Sequence, residues 1–135
     1  MSTAGYSGTE LLKKLGIKKD MKVLVINPPG DYLKLFSEDI SSQLVRSAPA
    51  DLVHLFVKSN KEFEREMKQI LLLAKANRNI ILWISWYKKS SGIGSDISEN
   101  MIREYALKNE LVDIKVCAVS DLWSGLKLVV PKAKR

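Results

Sequence analysis

The chain has 135 residues, 46% of them hydrophobic and 27% charged, a balance that fits one globular domain with a single core. No apolar run approaches the roughly 18–20 uncharged residues that span a membrane. The one cysteine, Cys117, excludes an internal disulfide and a cysteine-cluster zinc site. The formal charge of +7 would suit a polyanion such as nucleic acid. Its lysines, however, gather around residues 13–22 and 132–135 without interleaved aromatics, which favours solvated charge over a nucleic-acid surface. Residues 1–8 hold no basic stretch followed by an apolar one, so no secretory signal is expected, and cytoplasmic residence is the default.

In chain order, Ser7 and Glu10 form a possible capping box before LLKKL, and Gly16 reads as the stop of that short helix. Residues 21–27, MKVLVIN, read as a central strand, broken by Pro28, Pro29 and Gly30. A short helix over 31–36 and a weak strand over 43–47 precede DLVHLFV, residues 51–57, a second strong strand. Ser59 and Glu62 form another capping box. Phe63, Met67, Ile70, Leu71 and Ala74 then share one helical face. Residues 80–86 are a third strong strand. From Asp96, with Glu99 three residues on, a helix is expected to bury Ile97, Met101, Ile102, Tyr105 and Ala106. Residues 112–119 and 122–130 read as two strands with only Ser120 and Asp121 between them, hence an antiparallel hairpin. Alternating strands and helices predict an α/β sandwich with helices on both faces of a mostly parallel sheet, its last strand antiparallel. One domain spans 1–135, with 1–6 and 131–135 expected to fray.

The stretch 80–99, IILWISWYKKSSGIGSDISE, carries the strongest functional signal. A buried strand empties into a loop with two lysines and several serines and glycines, then a helix start, an arrangement α/β proteins use to hold anions. Ligands in open α/β sheets sit at the carboxyl ends of the strands. That edge gathers Asn27, Gly30, Asp31 and Tyr32 after the first strand, and Ser59 after the strand at 51–57. It adds Trp86, Tyr87, Lys88, Lys89 and Ser90 after the strand at 80–86. The hairpin brings Trp123 and Ser124 beside Trp86. Two aromatic faces beside ammonium groups suit a planar, negatively charged ligand.

The remaining groups point away from catalysis. His54, the only histidine, lies mid-strand, where a general base has no reach to substrate. Cys117 is expected as a small buried hydrophobe. Trp83 and Trp86, three apart in a strand, must face opposite ways, with Trp83 in the core. The SSGIGSD stretch lacks the ending of a phosphate-binding P-loop, and no cluster has metal-ligand spacing, so no metal is expected.

The segments GYSGTELLKKLGIK, VLVINPPGDY, DLVHLFV, ISWYKKSSGIGSDISE and LVDIKVCAVSDLWSGLKLV together resemble a family of small bacterial proteins of unknown function. Their expected fold is a shortened, Rossmann-like version of class I S-adenosylmethionine-dependent methyltransferases. The resemblance implies a three-layer sandwich with strand order 2-1-3-4-6-5 and does not point to an activity. Working methyltransferases of that class carry a G-x-G-x-G turn after the first strand and an acidic residue ending the second. Here the turn is Asn27-Pro28-Pro29-Gly30-Asp31, whose prolines remove backbone donors, and residues 43–48 offer Arg46. Weak or no binding of S-adenosylmethionine is therefore expected. NPPG follows the first strand, whereas the N-P-P-Y-like motif of amino-methyltransferases follows the fourth, so it is not read as catalytic. The expected role is a non-catalytic or degenerate methyltransferase-like domain that binds a small anionic, nucleotide-like ligand or a protein partner. An active methyltransferase and a nucleic-acid-associated protein are the alternatives.

Overall fold

A computed structural model describes residues 10–135 and shows an α/β domain built on one six-stranded sheet. The strands are β1 (Val23–Ile26), β2 (Leu44–Val45), β3 (Leu52–Phe56), β4 (Ile81–Tyr87), β5 (Val112–Ala118) and β6 (Trp123–Val129). The helices are α1 (Leu11–Leu15), α2 (Asn60–Ala76) and α3 (Glu99–Lys108). The strand order is β2-β1-β3-β4-β6-β5, the order that the resemblance implies. The sheet is mixed rather than mostly parallel in its pairings: β2–β1, β1–β3 and β3–β4 are parallel, while β4–β6 and β6–β5 are antiparallel. The cause is β6, which enters between β4 and β5 as the return arm of a hairpin and reverses both ladders it joins.

The period of two in β4 divides the core into two layers. Leu82, Ile84 and Trp86 join a cluster with Phe63, Met67 and Ile70 of α2 and with Ile102 and Ala106 of α3. Ile81, Trp83 and Tyr87 point the other way, towards α1, Tyr32, Phe36 and Ile40. Trp83 is fully buried, and its indole N–H donates to the Leu15 carbonyl at 2.9 Å, tying α1 to the sheet centre. Gly16 closes α1 at φ 77, a left-handed conformation that glycine adopts without strain, and its N–H reaches back to Leu12 and Lys13.

Gly16 and Ser59 cap as the sequence suggests, while the starts of α1 and α3 depart from the expectation. Ser7 lies outside the described residues, and Glu10 stands at the N-cap of α1 with no side-chain cap. At α2 the Ser59 hydroxyl accepts from the Glu62 N–H at 3.1 Å, while the Glu62 carboxylate accepts from Lys58 N–H instead of Ser59. The cap of α3 is Ser98, which accepts from Met101 N–H, and not Asp96. Asp96 instead takes the Asn60 N–H at 2.7 Å, so one carboxylate from the loop after β4 caps the start of α2. The β5–β6 turn holds four residues, 119–122, not two: Val119 turns into the core, and the Ser120 hydroxyl accepts from Leu122 and Trp123 N–H groups. Residues 131–135, expected to fray, fold back as a 3-10 turn over 132–134. Lys134 bonds Glu110, Arg78 donates to the Lys134 carbonyl, and Arg135 donates to the Val130 carbonyl. Among the described residues no helix is long and apolar enough to cross a membrane.

Candidate ligand site at the carboxyl edge

The carboxyl ends of β1, β3 and β4 share one edge because those strands run in one direction. The start of β6 joins them there by antiparallel pairing with β4, which sets Trp123 opposite Tyr87 and Ser124 opposite Trp86. Among the described residues, two clefts on this edge bear on the site. The first, about 480 Å³, lies between the turn after β1 and the β5–β6 turn, with Asn27, Asp31, Lys58, Tyr87, Asp121 and Trp123 on its walls. The second, about 350 Å³, lies between β4 and the start of α3, bounded by Trp86, Tyr87, Lys89, Glu99, Asn100 and Ser124. Tyr87 borders both. Its ring stacks on Trp123 with centroids 4.2 Å apart and planes 25° from parallel. Trp123 is braced from below by Phe56, edge-on at 4.9 Å.

The expected pairing of Trp123 with Trp86 does not form. The two residues come from neighbouring strands but opposite faces: Trp86 packs on the α2 and α3 side, Trp123 on the α1 side. Tyr87, one residue further along β4, takes the place opposite Trp123. Asn27, just past β1, adopts φ 56, a left-handed conformation that asparagine tolerates better than most residues, and the Pro28–Pro29 segment after it lines the first cleft.

The loop after β4 is not an open cradle. The Ser91 hydroxyl donates to the Lys88 carbonyl at 2.6 Å, Ser95 donates to the Lys58 carbonyl at 2.9 Å, Ser98 caps α3 and Asp96 caps α2. Ser91 and Ser98 are engaged locally, and Ser95 and Asp96 tie the loop to the start of α2. Lys88 lines neither cleft; its N–H donates to Leu122 and it is half-buried. Gly30 and Ser90 are exposed and also line neither cleft, while Lys89 does face the second. Ser59 is committed to capping α2.

Tyr32 leaves the site altogether. It is buried against β3, where its hydroxyl meets His54 Nδ1 at 3.1 Å, and His54 Nε2 meets the Ser85 hydroxyl at 2.7 Å. His54 and Ser85 are both fully buried. Burial lowers the His54 pKa to about 3 and pushes the Tyr32 phenol up, so both are neutral at physiological pH. A neutral imidazole has one N–H and one acceptor nitrogen. Either tautomer satisfies all three groups, since Tyr32 and Ser85 can each donate or accept. The trio bolts the segment after β1 onto β3 and β4, and both ring nitrogens are engaged out of reach of either cleft. Cys117 is half-buried against the α1 layer, not deep in the core, and burial raises its thiol pKa despite Lys14, Lys115 and Lys88 nearby. Among the described residues no group of three or more His, Cys, Asp or Glu side chains is placed to hold a metal ion.

Lys58, Asp121 and Asn100 line the clefts without having been singled out in the sequence. Lys58 and Asp121 were visible as the residues just past a strand end and in a hairpin turn on the same edge. Nothing in the local pattern marks Asn100. No protein-family model and no curated protein matches the chain.

Proposed function

We propose that the carboxyl edge binds a small, planar, anionic ligand of nucleotide-like chemistry, in a non-catalytic domain of Rossmann-like, methyltransferase-related ancestry. The observation that carries this reading is Tyr87, which borders both clefts and stacks on the buried Trp123, with Lys58 in one cleft and Lys89 in the other. A planar heterocycle can lie against the exposed part of such a stack, and the ammonium groups suit an attached phosphate. Asp31 and Asp121 would repel a phosphate in the first cleft but accept hydrogen bonds from sugar hydroxyls or ring amines. A ligand with both an anionic group and several donors, such as a nucleoside monophosphate, fits this division. The sealed His54 speaks for binding without acid–base chemistry by a histidine.

The strand order with β6 reversed supports the methyltransferase-related ancestry, and the turn at Asn27–Asp31 argues against strong S-adenosylmethionine binding. An active methyltransferase is the second reading, favoured only by that strand order. A thermal-shift comparison of adenosine monophosphate, S-adenosylmethionine and inorganic phosphate separates the readings. Adenosine monophosphate at about 100 times its Kd should add about 2.7 kcal/mol of stability and raise Tm by several degrees. Lys58→Ala with Lys89→Ala should remove the rise. A larger rise with S-adenosylmethionine favours the enzyme, and no rise with any of the three sinks the ligand-site reading.

A further inference from the structure

We infer a second binding site, at the opposite end of the sheet, for a small organic anion with an apolar body. A groove of about 350 Å³ runs between the carboxyl-terminal half of α2 and the turn from α3 into β5. That volume is within the range of sites for small molecules, ~300–1,000 Å³. Its floor is apolar: Ala74, Leu111 and Val130 are each at most 3% exposed, and Leu71 is half-buried beside them. Leu72 forms a wall and stays 58% exposed, an apolar side chain left in water on a helix whose other large apolar residues turn inward.

The rim is cationic. Lys68, Lys75, Arg78 and Lys108 surround the groove, against the single carboxylate of Glu110. That carboxylate is already engaged by Lys134 at 2.6 Å and is held below its ordinary pKa by Lys134, with Arg78 and Lys75 adding to the effect. Arg78 is fixed at the rim, since its Nε donates to the Lys134 carbonyl at 3.0 Å. Cations near helix carboxyl ends offset the negative pole of the helix dipole, roughly half a charge per helix. Two helix ends therefore account for about one of the four positive charges. Lys68 also lies two turns from the end of α2, beyond the reach of that effect. An apolar floor under a ring of unmatched cations is complementary to an amphipathic anion: an aryl or branched-alkyl carboxylate, sulfonate or phosphate ester. The site is independent of the carboxyl-edge reading, because it lies past the end of β6 and shares no residue with either cleft there.

The test titrates the full chain with 8-anilinonaphthalene-1-sulfonate at low ionic strength, following fluorescence, and repeats it with the uncharged N-phenyl-1-naphthylamine. The expected result is saturable binding of the sulfonate at one site, at least tenfold weaker in Lys75→Glu/Lys108→Glu, with the uncharged dye little affected by that variant. Leu72→Ser should weaken both dyes. Melting temperatures of the variants check that each is folded, and these exposed positions leave the fold intact. Sulfonate affinity within twofold of wild type in the charge-reversed protein overturns the inference. So does the absence of saturable binding, or its loss in Lys58→Ala/Lys89→Ala, which would move the dye to the carboxyl edge.

Discussion

Acidification from pH 7.5 to 5.0 is expected to cost the native state about 2 kcal/mol through His54 alone. The chain contains one histidine, so comparison with a variant that lacks it isolates this side chain within the pH window. In the unfolded chain His54 takes up a proton near pH 6.5; in the folded protein burial delays that to about 3. Between those values the unfolded state binds more protons, so stability falls as pH falls, and above 6.5 the contribution is constant. At pH 5.0 the gap below the unfolded pKa is about 1.5 units, at about 1.4 kcal/mol each. The assay is urea unfolding of wild type and His54→Gln at both pH values. Glutamine keeps a donor and an acceptor for Tyr32 and Ser85 but does not titrate. Wild type should lose about 2 kcal/mol more than the variant. As a companion measurement, the imidazole proton shifts of the wild type should stay flat down to pH 5. Equal losses in the two proteins, or an imidazole titrating near 6.5, would refute the sealed, neutral histidine.

Four further variants test the packing. Tyr32→Phe leaves His54 Nδ1 without its partner in the core and should cost about 1–3 kcal/mol by urea unfolding. Gly125→Val should destabilise by about 1–3 kcal/mol or more, since even a Cβ at Gly125 would lie 3.0 Å from Val119 and 3.2 Å from Trp83, and Trp83 is tethered through its indole. Asp96→Ala should cost about 1 kcal/mol and raise amide exchange at the start of α2 rather than of α3, because Asp96 caps Asn60 across the loop. Ser98→Ala should show the reverse pattern, with exchange rising at α3.

The strands were legible because their apolar runs are short and bounded by turn residues. Trp83 and Trp86 could be assigned to opposite faces from the period of two alone. The strand order came from the resemblance to the methyltransferase-like fold, because a hairpin alone leaves open whether its last strand lies inside or outside β5. Side-chain partnerships across the fold were not legible. Asp96 satisfies the local rule for a helix cap, yet serves a helix 36 residues earlier, and the local rule cannot detect a donor brought in by parallel strand pairing. Tyr32 sits in an exposed-looking turn by sequence, but His54 and Ser85 on β3 and β4 offer it a buried polar partner, and the hydroxyl goes there. The Ser/Gly loop carries the composition of an anion cradle, while the positions of Lys58 and Asn60 decide that its hydroxyls and carboxylate are used internally. Stacking of Tyr87 on Trp123 depends on the β4–β6 register, and a one-residue change would have placed Trp86 there instead.

The carboxyl-edge site is tested most directly by mapping amide and indole shifts of the isotopically labelled chain as adenosine monophosphate is added. The predicted result is saturable change at 27–31, at Lys58, at 86–89 and 99–100, and at 120–124, with the Trp123 indole among the largest, and none around Leu72. Saturable shifts centred elsewhere, or no shift at millimolar nucleotide, would contradict a nucleotide-like ligand at this edge.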